Sequence, residues 1–323
     1  SAIGDLDGDG VTELAVGAPD DSDGGVRNGA AYVLFLNANG TEHAHQKISA
    51  LTGGIAGQPR ETHLGVALAS PGDMDGDGVP ELFLGAMQDS DTDTSSFTGA
   101  VWLAFLRADG TTHAQRKIGA ASEDFTSTLD RQDEFGRALV ALGDLDGDGY
   151  LDFAAGAPKD DDGAFDAGAV WILFSAADGS VRSAQKISLT QGGFHGIVDQ
   201  HEVFGSALAA LGDLDQDGVP DLAVGAPTPS YSAEEWERGN VYVLFLNSDG
   251  TVKAEQRIGD GAGGFPGTLE IADFFGNALA PLGDLDGDGV LDLAVGAPGN
   301  DSALWLMFLR TDGTVHAARR LDR

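Results

Sequence analysis

The chain has 323 residues, no cysteine, 48 glycines, and 52 Asp plus Glu against 18 Lys plus Arg, for a net charge of −34. That field repels nucleic acid and anionic membrane, both of which need basic patches, and no disulfide holds the fold. There is no signal peptide and no transmembrane run, so direct membrane insertion is not expected.

The chain opens in mid-repeat and without a starting Met, which predicts a part of something longer. Asp5 begins an acidic nonapeptide, DxDxDGxx closed by Asp or Glu, that returns at Asp73, Asp144, Asp213 and Asp284, about every 70 residues. A fixed period means an array of one unit whose copies share a core. The units run approximately 1–62, 63–133, 134–202, 203–273 and 274–323, within one domain over 1–323.

The third unit shows the pattern most clearly. Four strand-like runs occupy 136–143, 152–157, 168–175 and 181–187. The first is rich in Ala, and the second ends in Gly-Ala-Pro, where Pro stops pairing. The third is almost wholly apolar, as a strand covered on both faces should be, and the fourth is mixed. Asp178-Gly179 between the last two marks a tight hairpin.

Four short antiparallel strands per repeat, without helical periodicity, predict an all-β fold: a β-propeller of five four-stranded blades. The first blade lacks most of its innermost strand, since residues matching 133–139 are absent before Ser1. Either five blades close by packing alone, or the propeller is larger, or a neighbouring chain supplies the strand. Two aromatic columns recur in the third strand: Tyr32, Trp102, Trp171, Tyr242 and Trp305, then Phe35, Phe105, Phe174, Phe245 and Phe308. Such repetition in a buried strand points to packing between blades rather than to ligand binding.

Each nonapeptide has hard oxygen ligands in the number that suits calcium. The expected ligands, with the seventh residue offering its carbonyl, are Asp5, Asp7, Asp9, Val11 and Glu13; Asp73, Asp75, Asp77, Val79 and Glu81; and Asp144, Asp146, Asp148, Tyr150 and Asp152. In the last two units they are Asp213, Asp215, Asp217, Val219 and Asp221, and Asp284, Asp286, Asp288, Val290 and Asp292. An EF-hand needs an acid at position twelve, where this chain has Val16, Leu84, Ala155, Val224 and Val295. A single Asp-Gly cluster could be merely a turn; five in phase read as up to five structural Ca2+ sites. Gln216 replaces Gly in the fourth loop, and every loop keeps its four carboxylates.

The segments between second and third strands do not repeat, so they are where a ligand is expected. Tyr231 and Trp236 are the leading stacking candidates, with Phe97 and Phe165 behind them; each could equally cover its own loop. Phe125, Phe194 and Phe265 recur in phase before the first strands and read as anchors under the linking loops. Acid clusters such as Asp20, Asp21 and Asp23, or Asp160, Asp161 and Asp162, read as solvated runs or further cation sites. His43, His113 and His316 share one place after the hairpin and are repeat residues first.

Phe135-Gly136, Phe204-Gly205 and Phe275-Gly276, followed by the acidic loop and then by Gly156-Ala157-Pro158, Gly225-Ala226-Pro227 and Gly296-Ala297-Pro298, resemble the FG-GAP repeats of integrin alpha subunits and their bacterial relatives. Gly17-Ala18-Pro19 fits the same pattern, while the second unit departs with Leu64-Gly65 and Gly85-Ala86-Met87. The resemblance implies a propeller with calcium loops on one rim and partners on the opposite face. Integrins contain seven such repeats against five here, so it implies an adhesion-like module rather than an integrin.

The function expected is therefore a calcium-stabilised extracellular or cell-surface module, secreted, that binds protein or glycan or further copies of itself. Alternatives are a structural subunit assembled by strand or blade complementation and a propeller associated with a hydrolase. No GxSxG, HExxH, phosphate-cradling loop or Cys nucleophile is present, so an enzyme is not expected.

Overall fold

The computed structural model describes residues 1–59, 61–90, 96–198, 200–227, 238–300 and 302–321. The first sheet is β1 (Ala2–Gly4), β2 (Glu13–Ala18), β3 (Ala30–Leu36) and β4 (Glu42–Ser49), and the second is β5 (Leu64–Gly72), β6 (Glu81–Ala86), β7 (Ala100–Leu106) and β8 (Thr112–Gly119). The third comprises β9 (Ala138–Gly143), β10 (Asp152–Ala157), β11 (Ala169–Ser175) and β12 (Val181–Ile187). The fourth comprises β13 (Ala207–Gly212), β14 (Asp221–Ala226), β15 (Asn240–Leu246) and β16 (Val252–Ile258). The fifth comprises β17 (Ala278–Gly283), β18 (Asp292–Ala297), β19 (Ala303–Leu309) and β20 (Val315–Leu321). Each is antiparallel in simple sequential order, and no helix occurs among the described residues, so the fold is a five-bladed β-propeller.

Chain contacts group into two compact units. One holds 1–144, 149–155 and 173–184, and the other 145–148, 156–172 and 185–323. In the first, Ile3, Leu6, Val33 and Phe35 of the first blade bury against Leu82, Leu84, Trp102 and Leu106 of the second. In the second, Val241, Val243 and Phe245 of the fourth blade bury against Leu293, Val295, Trp305 and Met307 of the fifth. The alternate residues of each strand therefore face a neighbouring blade, which is why a whole apolar third strand is needed.

The Phe-Gly and Gly-Ala-Pro pairs meet across blades. A Cβ on Gly85 would stand 2.0 Å from the Gly136 carbonyl oxygen, and one on Gly225 would stand 2.0 Å from that of Gly276. Only glycine permits that approach. Gly136 itself has φ +85° and lies before β9, so the first strand starts two residues later than its sequence suggests. The preceding Phe ties the blades together: Phe135 N–H donates to the Thr98 carbonyl at 3.0 Å and Phe204 N–H to that of Ala167 at 2.9 Å.

The linking-loop phenylalanines are anchors, as expected. Phe125 stacks on Phe135 and Phe194 on Phe204, with centroids 5.4 and 4.9 Å apart. Phe265 packs on Phe275 and edge-on against Trp305. The aromatic columns are buried except for Tyr32 and Phe308, which lie in the first and last blades and are half-buried.

The hairpin at Asp178-Gly179 is tight, as expected: Gly179 N–H donates to the Ala176 carbonyl, Ala176 N–H to the Ser180 carbonyl, and Gly179 takes φ +72°. β11 is buried throughout, as its apolar run predicts, and so is β7, whereas β3 and β19 of the first and last blades alternate.

Candidate metal loops

Every acidic loop sits between the first and second strands of its sheet, the same sheet end as the hairpin between the third and fourth. The carboxylates first fold the loop. Asp5 accepts the Gly8 and Gly10 N–H groups at 2.8 and 2.9 Å, Asp7 accepts Asp9 N–H, and Asp9 accepts Val11 N–H. Asp73, Asp75 and Asp77 repeat this with Gly76, Gly78 and Val79. So do Asp284, Asp286 and Asp288 with Gly287, Gly289, Asp288 N–H and Val290. In the third loop, Asp144 accepts Gly149 N–H and Asp146 accepts Asp148 N–H.

The closing acid is buried in every loop: Glu13, Glu81, Asp152, Asp221 and Asp292. It reaches back to the residue after the first Asp, for example Glu13 to Leu6 N–H at 2.6 Å and Asp221 to Leu214 N–H at 3.0 Å. The side chains of Leu6, Met74, Leu145 and Leu214 sink into the core and seat the loop, a role sequence reasoning overlooked. Its signal was visible as Leu or Met at the second position of all five loops.

Asp and Glu close the loop differently. Asp221 spends its second oxygen on Leu246 N–H at 3.1 Å, and Asp292 spends its own on Leu309 N–H at 3.2 Å. One Glu13 oxygen and one Glu81 oxygen are buried with no hydrogen-bond partner. Each of these glutamates lies with two aspartates, Asp5 and Asp7 or Asp73 and Asp75, whose ligand oxygens fall within 4.8 Å of one another. Burial pushes Glu81 up to about 7 and Asp221 up to about 6, and raises Glu13 and Asp292 as well; neighbouring loop aspartates add to it. Buried, crowded and partly unpartnered hard oxygens are what a divalent cation offsets, so the donor set fits calcium. Of the carbonyl positions, Tyr150 is exposed, Val11, Val79 and Val219 are half-buried, and Val290 is buried.

Among the candidate ligand residues, Tyr231 and Trp236 lie outside the described residues. Phe165 is 56% exposed, edge-on to His201 at 5.0 Å. Phe97 is half-buried in a left-handed conformation, φ +48°, with its N–H donated to Ser90 Oγ.

The acid clusters after the second strand divide: Asp20 and Asp161 are exposed, as solvated acids should be, whereas Asp21, Asp23, Asp160 and Asp162 are paired with lysines. Lys186 of β12 bridges Asp160 and Asp162 at 2.8 and 3.4 Å and lies over the Trp171 ring at 5.6 Å. Lys47 does the same with Asp21, Asp23 and Tyr32, and Lys117 joins Asp89 and Trp102. The antiparallel register, which sets Tyr32 opposite Lys47 and Trp102 opposite Lys117, brings the cation to the ring.

The pattern of loop, Phe-Gly and Gly-Ala-Pro agrees with a family comparison that matches the FG-GAP repeat at residues 1–34, 135–173, 204–244 and 275–316. The chain carries FG-GAP repeats. The second blade, with Leu64-Gly65 and Gly85-Ala86-Met87, falls outside the matched stretches, yet its sheet has the same strand order and the same glycine contact. Among relatives of these FG-GAP repeats, integrin alpha-PS2 of Drosophila melanogaster is 32% identical over 232 residues, 72% of this chain and 15% of the relative. Integrin alpha-V of Gallus gallus is 34% identical over 173 residues, 51% of this chain and 15% of the relative. The chain thus spans about 15% of the length of these curated relatives. A rhamnogalacturonan lyase of Bacillus licheniformis aligns over 90% of this chain and 50% of its own at 17% identity, with a TM-score of 0.38, a likeness too slight to bear on function. Among the described residues no helix is long and apolar enough to cross a membrane.

Proposed function

We propose that the chain is a calcium-stabilised extracellular binding module of adhesion type, without catalytic activity, whose five acidic loops each hold a structural Ca2+. The observation that carries this reading is the buried, unpartnered oxygen of Glu13 and of Glu81 beside two further carboxylates. The FG-GAP match and the likeness to integrin alpha chains support the adhesion-type role. The five sets beginning at Asp5, Asp73, Asp144, Asp213 and Asp284 would hold the ion, and the ion would rigidify the turn between first and second strands. The partner is an extracellular protein or glycan, met by the loops between second and third strands, where Phe165 is exposed.

At about 1 mM calcium and a dissociation constant near 0.1 mM, each site adds about 1.4 kcal/mol. Thermal melting in calcium and in chelator tests the ion, and an array of glycans and extracellular proteins tests the partner. A melting temperature indifferent to chelation would remove the calcium reading. Calcium-dependent binding abolished by a Tyr231→Ala/Trp236→Ala pair would locate the binding loop.

A second reading, assembly with further copies, is favoured by one observation: Leu14 and Val16 of the first blade and Leu304 and Leu321 of the fifth are exposed apolar residues. Sedimentation across a concentration series separates it from a monomeric binding module.

A further inference from the structure

The five loops are not equivalent, and the difference lies across the sheet end, on the fourth strand. One position there is His43, His113, Arg182, Lys253 and His316 in successive blades. His316 Nε2 lies 3.1 Å from Asp286 and 3.8 Å from Asp288, and His113 Nε2 lies 3.9 Å from Asp77. His43, His113 and His316 each form a group with the third- and fifth-position aspartates of their loops. An imidazole brings a ring nitrogen that can itself serve as a ligand. Arg182 donates Nε to the Ser175 carbonyl at 2.8 Å and, like a lysine, has no lone pair to offer a metal ion.

Lys253 is of another kind. Its ammonium bridges Asp215, at 2.9 Å, and Asp217, and Asp217 also accepts Val219 N–H. A lysine ammonium has donors and no lone pair, so it competes with a metal ion for these oxygens and contributes nothing to its shell. The fourth loop departs a second time at Gln216, which takes φ +66° where Gly8, Gly76, Gly147 and Gly287 take +81°, +80°, +77° and +82°. A side chain in that region costs on the order of 1 kcal/mol, so this loop also begins from a less favourable turn.

Resting on the calcium reading of the loops, we propose that Lys253 is a built-in counter-ion that makes the fourth loop a weaker divalent-cation site than the first, second and fifth, where the same position is histidine. It is an organic cation holding the turn that those three loops need a metal ion to hold. Asp215 Oδ1 remains buried without a partner, so the lysine answers only part of the carboxylate charge and the site is weakened rather than abolished. The consequence is graded: as calcium falls, the fourth loop releases its ion before the first, second and fifth do, yet stays ordered.

Calorimetric titration of the whole chain with CaCl2, after chelator and dialysis, tests this. The expected result is a tight class that holds the ions of the first, second and fifth loops and a fourth-loop ion bound about tenfold more weakly, a difference of about 1.4 kcal/mol. Lys253→Met should bring that ion into the tighter class, and His316→Lys should move one ion out of it. Hydrogen exchange in chelator supplies a readout that needs no variant: residues 213–221 should stay protected while 284–292 exchange. Five equal sites, unchanged by Lys253→Met, would overturn the role of Lys253 and leave the calcium reading standing. No calcium uptake at any loop would overturn both. If Lys253→Met does not fold, His316→Lys and the exchange pattern decide, and equal exchange of the two loops would sink the proposal.

Discussion

Val224 of the fourth blade and Val16 of the first occupy the same place in the same strand, each paired with a tyrosine, yet Val224 is fully buried and Val16 is 46% exposed. Val241 and Leu304, equivalent positions of β15 and β19, differ in the same sense, buried against 41% exposed. The local sequence is nearly identical in the first pair and comparably apolar in the second. What differs is whether a blade lies alongside, so burial in this repeat protein belongs to the interface and not to the unit. The glycine of Gly-Ala-Pro says the same. Gly225 meets the next blade's Gly276 carbonyl, whereas the nearest atom to a Cβ on Gly296 of the last blade is the Ala278 Cβ at 3.3 Å.

The largest effect should come from the glycines. Gly225→Ala forces a methyl onto a backbone carbonyl and should cost about 3 kcal/mol, while Gly296→Ala should cost a few tenths at most, both read by urea unfolding. Equal costs would mean that the close approach of Gly276 is not what selects glycine. Next come the valines. Val224→Ala opens a cavity and should cost about 2 kcal/mol, against less than about 0.5 kcal/mol for Val16→Ala. A matching loss at Val16 would show that its face is covered in solution, by another copy or another segment. Chelation sharpens the comparison at the loops: the first, second and fifth should depend on calcium more than the fourth, which has Lys253.

Much of the architecture was legible because its causes are local. The runs at 152–157 and 181–187 coincide with β10 and β12, since alternation and Pro punctuation suffice to place a strand. The loops were legible because alternate carboxylates and glycine at fixed offsets have few other uses. What was hidden depends on register or on neighbours. Lys186 stands 26 residues from Asp160, and nothing short of strand pairing places it between two aspartates and an indole. Likewise the pairing of Lys253 with the fourth loop, 36 residues from Asp217, needs the hairpin between β15 and β16 to fold back over the turn. The exposure of Leu14 or Leu304 could not be read from units that look alike.

The smallest effect predicted concerns the lysine platforms, compared between blades by acid titration. Burial alone would raise the Asp162 carboxyl, but the Ser188 and Thr190 hydroxyls, the Lys186 charge and the Gln191 amide outweigh it and hold Asp162 at about 2. A depressed carboxyl stabilises the fold above its unfolded value, about 3.9, and that contribution is lost as pH falls toward 2. Asp162→Asn keeps the shape and removes the titration, so the variant should be less stable than wild type at pH 5 and converge with it near pH 2. Because Asp162 is partly exposed, screening limits the gap at pH 5 to about 1 kcal/mol or less. The loop carboxylates titrate in both proteins, and distant sites add, so the difference between the two melting curves isolates Asp162. Curves that stay parallel from pH 5 to pH 2 would mean that Asp162 gains nothing from its hydroxyl partners, and that the platform of the third blade is held by Lys186 and Asp160 alone.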